Sequence, residues 1–314
     1  MSVRTSVVTI FLAAAALFTL LAKRPYAPDS SVAEAKNDPT AATAPNAAAT
    51  PVLVELFTSE GCSSCPPADA LLSRLGKTQP VPGARIIVLE EHVDYWDHLG
   101  WKDPFSSEAA TARQNEYGQA FGGEQVYTPQ MVVDGRAEFV GSSDSNALRA
   151  IRDASHAPKP AVQLDWGKDD TLSIHIESLT NAAPGQNAQL FLVVAEDMLH
   201  SDVKRGENSG RALEHNGVVR QLLPLAKIPA AGTAFSATVP VHADREWNRS
   251  NLHAVVFAQN PRTRQVLAAA SIPFPSRVAR ALLPVRFLPF LMVPIATSAY
   301  NPTQRGVAVL HVIQ

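Results

Sequence analysis

The apolar run Val52-Leu53-Val54-Glu55-Leu56-Phe57, broken by a single acid, has the pattern of a short buried strand. Thr58 to Gly61 turns the chain. Ala68, Leu71, Leu72 and Leu75 then recur on one face at helical spacing, which predicts a helix over 68–75. Pro80, Pro82 and Gly83 mark a loop, and Arg85-Ile86-Ile87-Val88-Leu89 is a second buried strand. A long loop from His92 to Phe105 carries Tyr95, Trp96 and Trp101. Ser106 opens a helix to about Phe121, with Glu108 in its first turn. Gln130 to Asp134 and Ala137 to Val140 are strands joined by an Asp134-Gly135 turn, and Ser143 caps a last helix to about Ala154. The order is strand, helix, strand, helix, strand, strand, helix.

After His156-Ala157-Pro158-Lys159-Pro160 the period changes. Leu172, Ile174 and Ile176 alternate with Ser173, His175 and Glu177, as in a half-buried strand. Leu190 to Ala195, Ala234 to Val241, Leu252 to Ala258 and Val266 to Ile272 are further strands, with no helical pattern between them. Residues 161–274 therefore predict a small all-β, sandwich-like domain behind an α/β domain at 51–157. In the tail, 275–314, Pro284, Pro289 and Pro294 break any helix and Arg286 interrupts the apolar stretch. No acid follows Glu246, and this tail is expected to lie outside the fold.

The first residues change the compartment. Arg4 precedes an apolar stretch from Val7 to Ala22, interrupted only by Thr9 and Thr19 and closed by Lys23 and Arg24. Residues 1–24 read as a signal peptide or an uncleaved membrane anchor, with Ala33-Glu34-Ala35 a candidate cleavage site. Residues 25–50 are rich in Ala, Pro, Ser, Thr and Asn, and with so little to bury they read as a disordered linker. The expected location is extracytoplasmic, periplasmic or secreted, with membrane contact only through residues 7–22. A formal charge of -2 offers no footprint for nucleic acid, and 2 cysteines are too few for a disulfide scaffold.

Those two cysteines form Cys62-Ser63-Ser64-Cys65, after a strand and before a helix. Pro66 and Pro67 fit only a first helical turn, where their missing N–H groups would be unpaired anyway. The helix therefore starts at the pair, and its positive end favours a thiolate. Cys62 is expected to be exposed and to attack, with Cys65 resolving. A βαβ unit, a hairpin and a helix around such a pair is the order of a thioredoxin-like domain with a mixed sheet. Thr128-Pro129 stands just before the third core strand, where thioredoxin-like proteins carry a cis-proline beside the dithiol. This predicts a cis bond and a substrate groove at Thr128 and Pro129. His92 and Asp94 leave the second strand at the same rim and are candidate proton relays, or else part of a loop anchored by its aromatics. Glu55, an acid in an apolar strand, must be paired or protonated and is a third relay candidate, one position out of register with the thioredoxin acid. Lys204 to Arg211 reads as a solvated hairpin, with the alternative that it reaches the dithiol rim.

The stretches ELFTSEGCSSCPPADALL, HVDYWDHLGWKDPF, YTPQMVVDG and RGENSGRALEHNGVVR resemble the domain-of-unknown-function family 1223, DUF1223, over Pro51 to Ile272. The resemblance implies a secreted, thioredoxin-like bacterial protein and brings no assigned substrate. Unlike thioredoxins, this chain has Ser-Ser between the cysteines, no Trp before them and Pro directly after. The expected function is thiol–disulfide exchange on protein or small-molecule thiols, with no cofactor and no resident metal. The alternatives are copper(I) or other soft-metal delivery through the two cysteines with His92 or His98, and a non-catalytic partner-binding protein. The short, Pro-bearing connection at 157–160 further predicts that the β segment packs on the first and narrows access to Cys62.

Overall fold

The computed structural model describes residues 49–123, 126–179, 187–229 and 234–276. The expected targeting segment, the expected linker up to residue 48 and the tail beyond residue 276 lie outside the described residues. Among the described residues, no helix is long and apolar enough to cross a membrane.

The first half contains β1 (Thr50–Thr58), α1 (Pro66–Thr78), β2 (Ala84–His92), α2 (Glu108–Phe121), β3 (Gln130–Val133), β4 (Ala137–Val140) and α3 (Asp144–Ser155). β1 lies parallel to β2 and antiparallel to β3, and β3 and β4 form a hairpin. Alternation divides β1 between two faces. Val52, Val54 and Leu56 join Leu71, Leu72 and Leu75 of α1 and Ile151 of α3 in one core. Leu53 and Phe57 point the other way, into two further cores. The N-cap of α2 is Ser107, whose hydroxyl accepts from Ala110 N, one residue later than the sequence expectation of Ser106.

The second half adds β5 (Val162–Trp166), β6 (Thr171–Ile176), β7 (Asn187–Glu196), β8 (Leu199–Asp202), β9 (Ala212–His215), β10 (Val218–Pro229), β11 (Phe235–Pro240), β12 (Leu252–Gln259) and β13 (Val266–Pro273). Four of these strands join the first half in one eight-stranded mixed sheet, in the order β13-β12-β7-β10-β2-β1-β3-β4. A three-stranded sheet, β11-β6-β5, forms a further layer, and β8 pairs with β9. β7 shows why its sequence is a continuous apolar run. Leu190, Leu192 and Val194 face the layer of β6, while Phe191, Val193 and Ala195 meet Leu53, Ile87 and Leu89 of the first half.

Hydrogen bonding thus crosses the segment boundary expected near 157–161. β10 meets β2 through one residue pair, Val218 with Glu90, and the two wings of the sheet share a core, so the sheet bends sharply at this seam. Gly217 sits in the seam with φ +76, and a Cβ there would stand 2.8 Å from Val88 O. Only glycine meets both demands. Lys159 fixes the connection after α3, donating to Pro51 O at 2.5 Å and pairing with buried Asp134.

Candidate functional site

β1 ends at Thr58 and the chain turns at once into the cysteine pair. Gly61 N donates to Ser59 Oγ and Cys62 N to Ser59 O, both at 3.1 Å. Cys62 and Cys65 form a disulfide, with Cα atoms 5.4 Å apart. Cys65 is the N-cap of α1 and Pro66 and Pro67 fill its first positions, so the pair lies at the positive end of the helix. Ser63 and Ser64 are exposed, but the expectation of an exposed Cys62 is corrected: Cys62 is 1% and Cys65 0% accessible. The 203–211 loop is bonded to the backbone of the cysteine turn. Buried Asn208 donates through Nδ2 to Glu60 O at 2.8 Å and Cys62 O at 2.9 Å, and Glu207 accepts from Ser63 N at 3.0 Å. Of the two readings of Lys204 to Arg211, the one that reaches the cysteines matches these contacts.

The Thr128–Pro129 peptide is cis. Trp96 connects this bond to the cysteine turn. Its Nε1 donates to Thr128 Oγ1 at 2.9 Å, and its Cβ lies 3.1 Å from where a Cβ on Gly61 would stand. Asp94 faces α2. Its carboxylate accepts from the Thr111 hydroxyl at 2.6 Å and its N–H donates to the same oxygen at 3.1 Å, which ties the loop to α2.

Glu55 departs from its expected role as a proton relay. It lies on the face of β1 shared by Leu53 and Phe57, whereas α1, which carries Cys65, covers the face of Val54 and Leu56. Arg113 Nε reaches its carboxylate at 2.5 Å, and the Tyr117 hydroxyl donates to its other oxygen. Strand alternation thus commits Glu55 to holding α2 on the sheet.

His92 belongs to a buried polar cluster. Its Nδ1 bonds Asp103 Oδ2 at 2.7 Å, and its ring lies edge-on to His215, with centroids 4.8 Å apart. Burial opposes a charge on His92, but Asp103 and then Glu90 outweigh it and hold the ring well above its usual range. His215 is raised to about 9 against the same burial penalty, chiefly by Glu90. Glu60 joins the cluster to the cysteine turn: Trp101 Nε1 donates to its Oε2 at 2.6 Å, and its own N–H donates to Asp103 at 2.8 Å.

The sequence pattern of the family described as "Protein of unknown function (DUF1223)" matches residues 53–259. The chain belongs to the DUF1223 family. Two solved structures resemble this DUF1223 protein. A structural-genomics target from Agrobacterium tumefaciens has a TM-score of 0.57 at 24% identity, covering 72% of this chain and 95% of that one. HBP35 of Porphyromonas gingivalis has a TM-score of 0.53 at 13% identity, covering 81% and 80%. At such identities the likeness concerns the fold alone. No curated protein matches the sequence.

No motif in this DUF1223 chain singles out Glu60, Asp69, Glu90, Asp103, Asn208 or His215. Asp69, one helical turn after Cys65, accepts from the Thr58 hydroxyl at 2.6 Å. Burial, and after it the Glu90 carboxylate, raise Asp69 to about 7. A signal existed in Glu90-Glu91-His92: three polar residues at the end of an apolar strand in a sheet interior need partners.

Proposed function

We propose that this is an exported, thioredoxin-like thiol–disulfide oxidoreductase that uses Cys62 and Cys65. The observation that carries the reading is the Cys62–Cys65 disulfide at the N-terminus of α1. The helix end stabilises negative charge on sulfur, which is what a leaving or attacking thiolate needs. The cis Thr128–Pro129 bond and its link through Trp96 to Gly61 support a peptide-binding groove at this rim. So does the element order of the first half, with β1 between a parallel β2 and an antiparallel β3. Export is supported by the charged and apolar pattern of residues 4–24.

In the oxidising direction, a substrate thiolate attacks Cys62 Sγ, the Cys62–Cys65 bond breaks and Cys65 leaves as thiolate. A second substrate thiolate then attacks the substrate sulfur of the mixed disulfide, and Cys62 leaves. The pair gains two electrons and the substrate becomes a disulfide. Reduction runs the same steps backwards, and the redox poise of the compartment sets the direction. In this reading the 203–211 loop, whose Asn208 and Glu207 hold the backbone of the cysteine turn, makes the exchange selective.

The test is trapping in the native compartment. With Cys65→Ser, mixed disulfides on Cys62 are expected to accumulate because the resolving thiol is gone. Cys62→Ser should trap none. Adducts on Cys65 instead would reverse the assigned roles, and adducts with neither variant would make the bond a plain structural crosslink.

A further inference from the structure

We propose that His92, His215 and Glu90, with Glu60 beside them, bind one divalent first-row transition-metal ion of the Zn2+ type. The site stands independently of the cysteine reading, since none of its ligands is a thiol. One ligand atom from each of Glu90, His92 and His215 lies within 4.8 Å of the others, and all three residues are buried. Two distances define the gap between them: His92 Nε2 is 3.6 Å from Glu90 Oε1, and His215 Nε2 is 3.4 Å from Glu60 Oε1.

The decisive observation is what these atoms lack. His92 Nε2, His215 Nε2 and Glu60 Oε1 are all buried without a hydrogen-bond partner. Buried polar atoms are ordinarily paired, and each exception needs an explanation. Here His92 Nε2 faces Glu90 Oε1, and the other two face each other.

The Nδ1 edges of both rings are placed by carboxylates. His92 Nδ1 bonds Asp103 at 2.7 Å, and His215 Nδ1 bonds Glu90 at 2.8 Å. Those carboxylates are held in turn: Phe105 N donates to Asp103 at 2.9 Å, and Asn216 N donates to Glu90 at 2.9 Å. For His92, a carboxylate on Nδ1 that leaves Nε2 to the ion is the usual outer arrangement around a metal-bound histidine. His215 meets the ligand Glu90 through Nδ1, so Nδ1 is its ligating atom and Glu60 stands on its Nε2. Phe105 walls the site, with its ring centroid 5.4 Å from His92 and 5.6 Å from His215.

Imidazole nitrogens with carboxylate oxygens suit Zn2+ and its first-row neighbours, whereas copper(I) prefers sulfur. A dication would replace the charge of the two protonated rings against the buried carboxylates, and its binding would release their ring protons. The competing reading is an ion-pair cluster filled by water, which would bind no metal. An occupied site would further brace the cysteine turn, because Asn208 joins Glu60 O and Cys62 O.

The experiment uses the full chain in its oxidised form, where the disulfide leaves no thiolate to bind metal. After chelator treatment, Zn2+ is titrated calorimetrically, and the metal retained on gel filtration is counted. One equivalent per chain is expected, with a higher melting temperature when loaded. His92→Gln and His215→Gln should each weaken binding at least about tenfold. His200→Gln, at an exposed histidine, should not. If a variant fails to fold, the wild-type chain still decides, because Zn2+ should shift the ring nitrogen resonances of His92 and His215. Absence of saturable binding, equal binding by the His92 and His215 variants, or unshifted ring nitrogen resonances would overturn the proposal.

Discussion

Arg113→Met is expected to lower the unfolding free energy by about 3–5 kcal/mol, the range for removing one partner of a buried ion pair. Arg113 is buried on α2 and pairs with Glu55 at 2.5 Å. It also donates to the Tyr117 hydroxyl at 3.1 Å and to Gln259 at 3.3 Å. Its guanidinium lies 5.1 Å from the ring centroids of Tyr117 and Phe257 and 5.5 Å from that of Phe191. Burial opposes its charge, but Glu55 holds the proton on. Met can fill the volume but leaves the Glu55 carboxylate without its counter-charge. Glu91, 3.7 Å from Arg113, loses the same support, and burial already pushes its carboxyl up to about 8. Because Phe191, Phe257 and Gln259 belong to the second half, the damage should reach both halves and leave one cooperative transition. Urea unfolding measures it. Adding Glu55→Gln should recover part of the loss, since the orphaned charge is then removed. A loss under about 1 kcal/mol, or two separate transitions, would show that the ion pair does not hold the halves together.

Asn208→Ala is expected to speed reduction of the Cys62–Cys65 bond by a small dithiol roughly 10- to 100-fold. Asn208 Nδ2 is a shared donor for Glu60 O and Cys62 O, and the side chain is wholly buried. Losing such bonds costs on the order of 1–3 kcal/mol, and about 1.4 kcal/mol is tenfold in the opening equilibrium. Glu207→Gln should act in the same direction and more weakly, because its bond to Ser63 N is exposed. Stopped-flow reduction of the three oxidised proteins gives the rates. An unchanged rate in Asn208→Ala would mean that the loop does not control access to Cys62.

The strands most legible in the sequence were those whose pattern is local. β1, β2, β7 and β12 are apolar runs because both faces are covered, and β6 alternates because one face is open. β10 escaped notice for a physical reason. Pro224 and irregular register at Val219/Gln221 and Pro224/Ala226 break its period. The seam between β10 and β2 is a single pair between residues far apart in sequence, and no local pattern encodes it. β8 and β9 are short and pair only with each other.

At the site, the cysteines and Thr128-Pro129 were legible because each is a motif with a backbone consequence. Asn208 and His215 come from a distant loop and strand end, where only folding brings them to Glu60 and Glu90. The role of Glu55 was within reach, since strand alternation alone puts it on the face of Leu53 and Phe57.

The central claim is that Cys62–Cys65 is a working redox pair, and its equilibrium with glutathione tests this most directly. The purified oxidised chain is equilibrated over a range of reduced-to-oxidised glutathione ratios, and the thiols are quantified after acid quenching. A redox pair predicts a single two-electron transition within the range of known thiol–disulfide oxidoreductases, about -120 to -270 mV, with the same circular dichroism at both ends. A bond that stays closed to below about -300 mV, or that opens only as the protein unfolds, would contradict it and mark the pair as a structural crosslink.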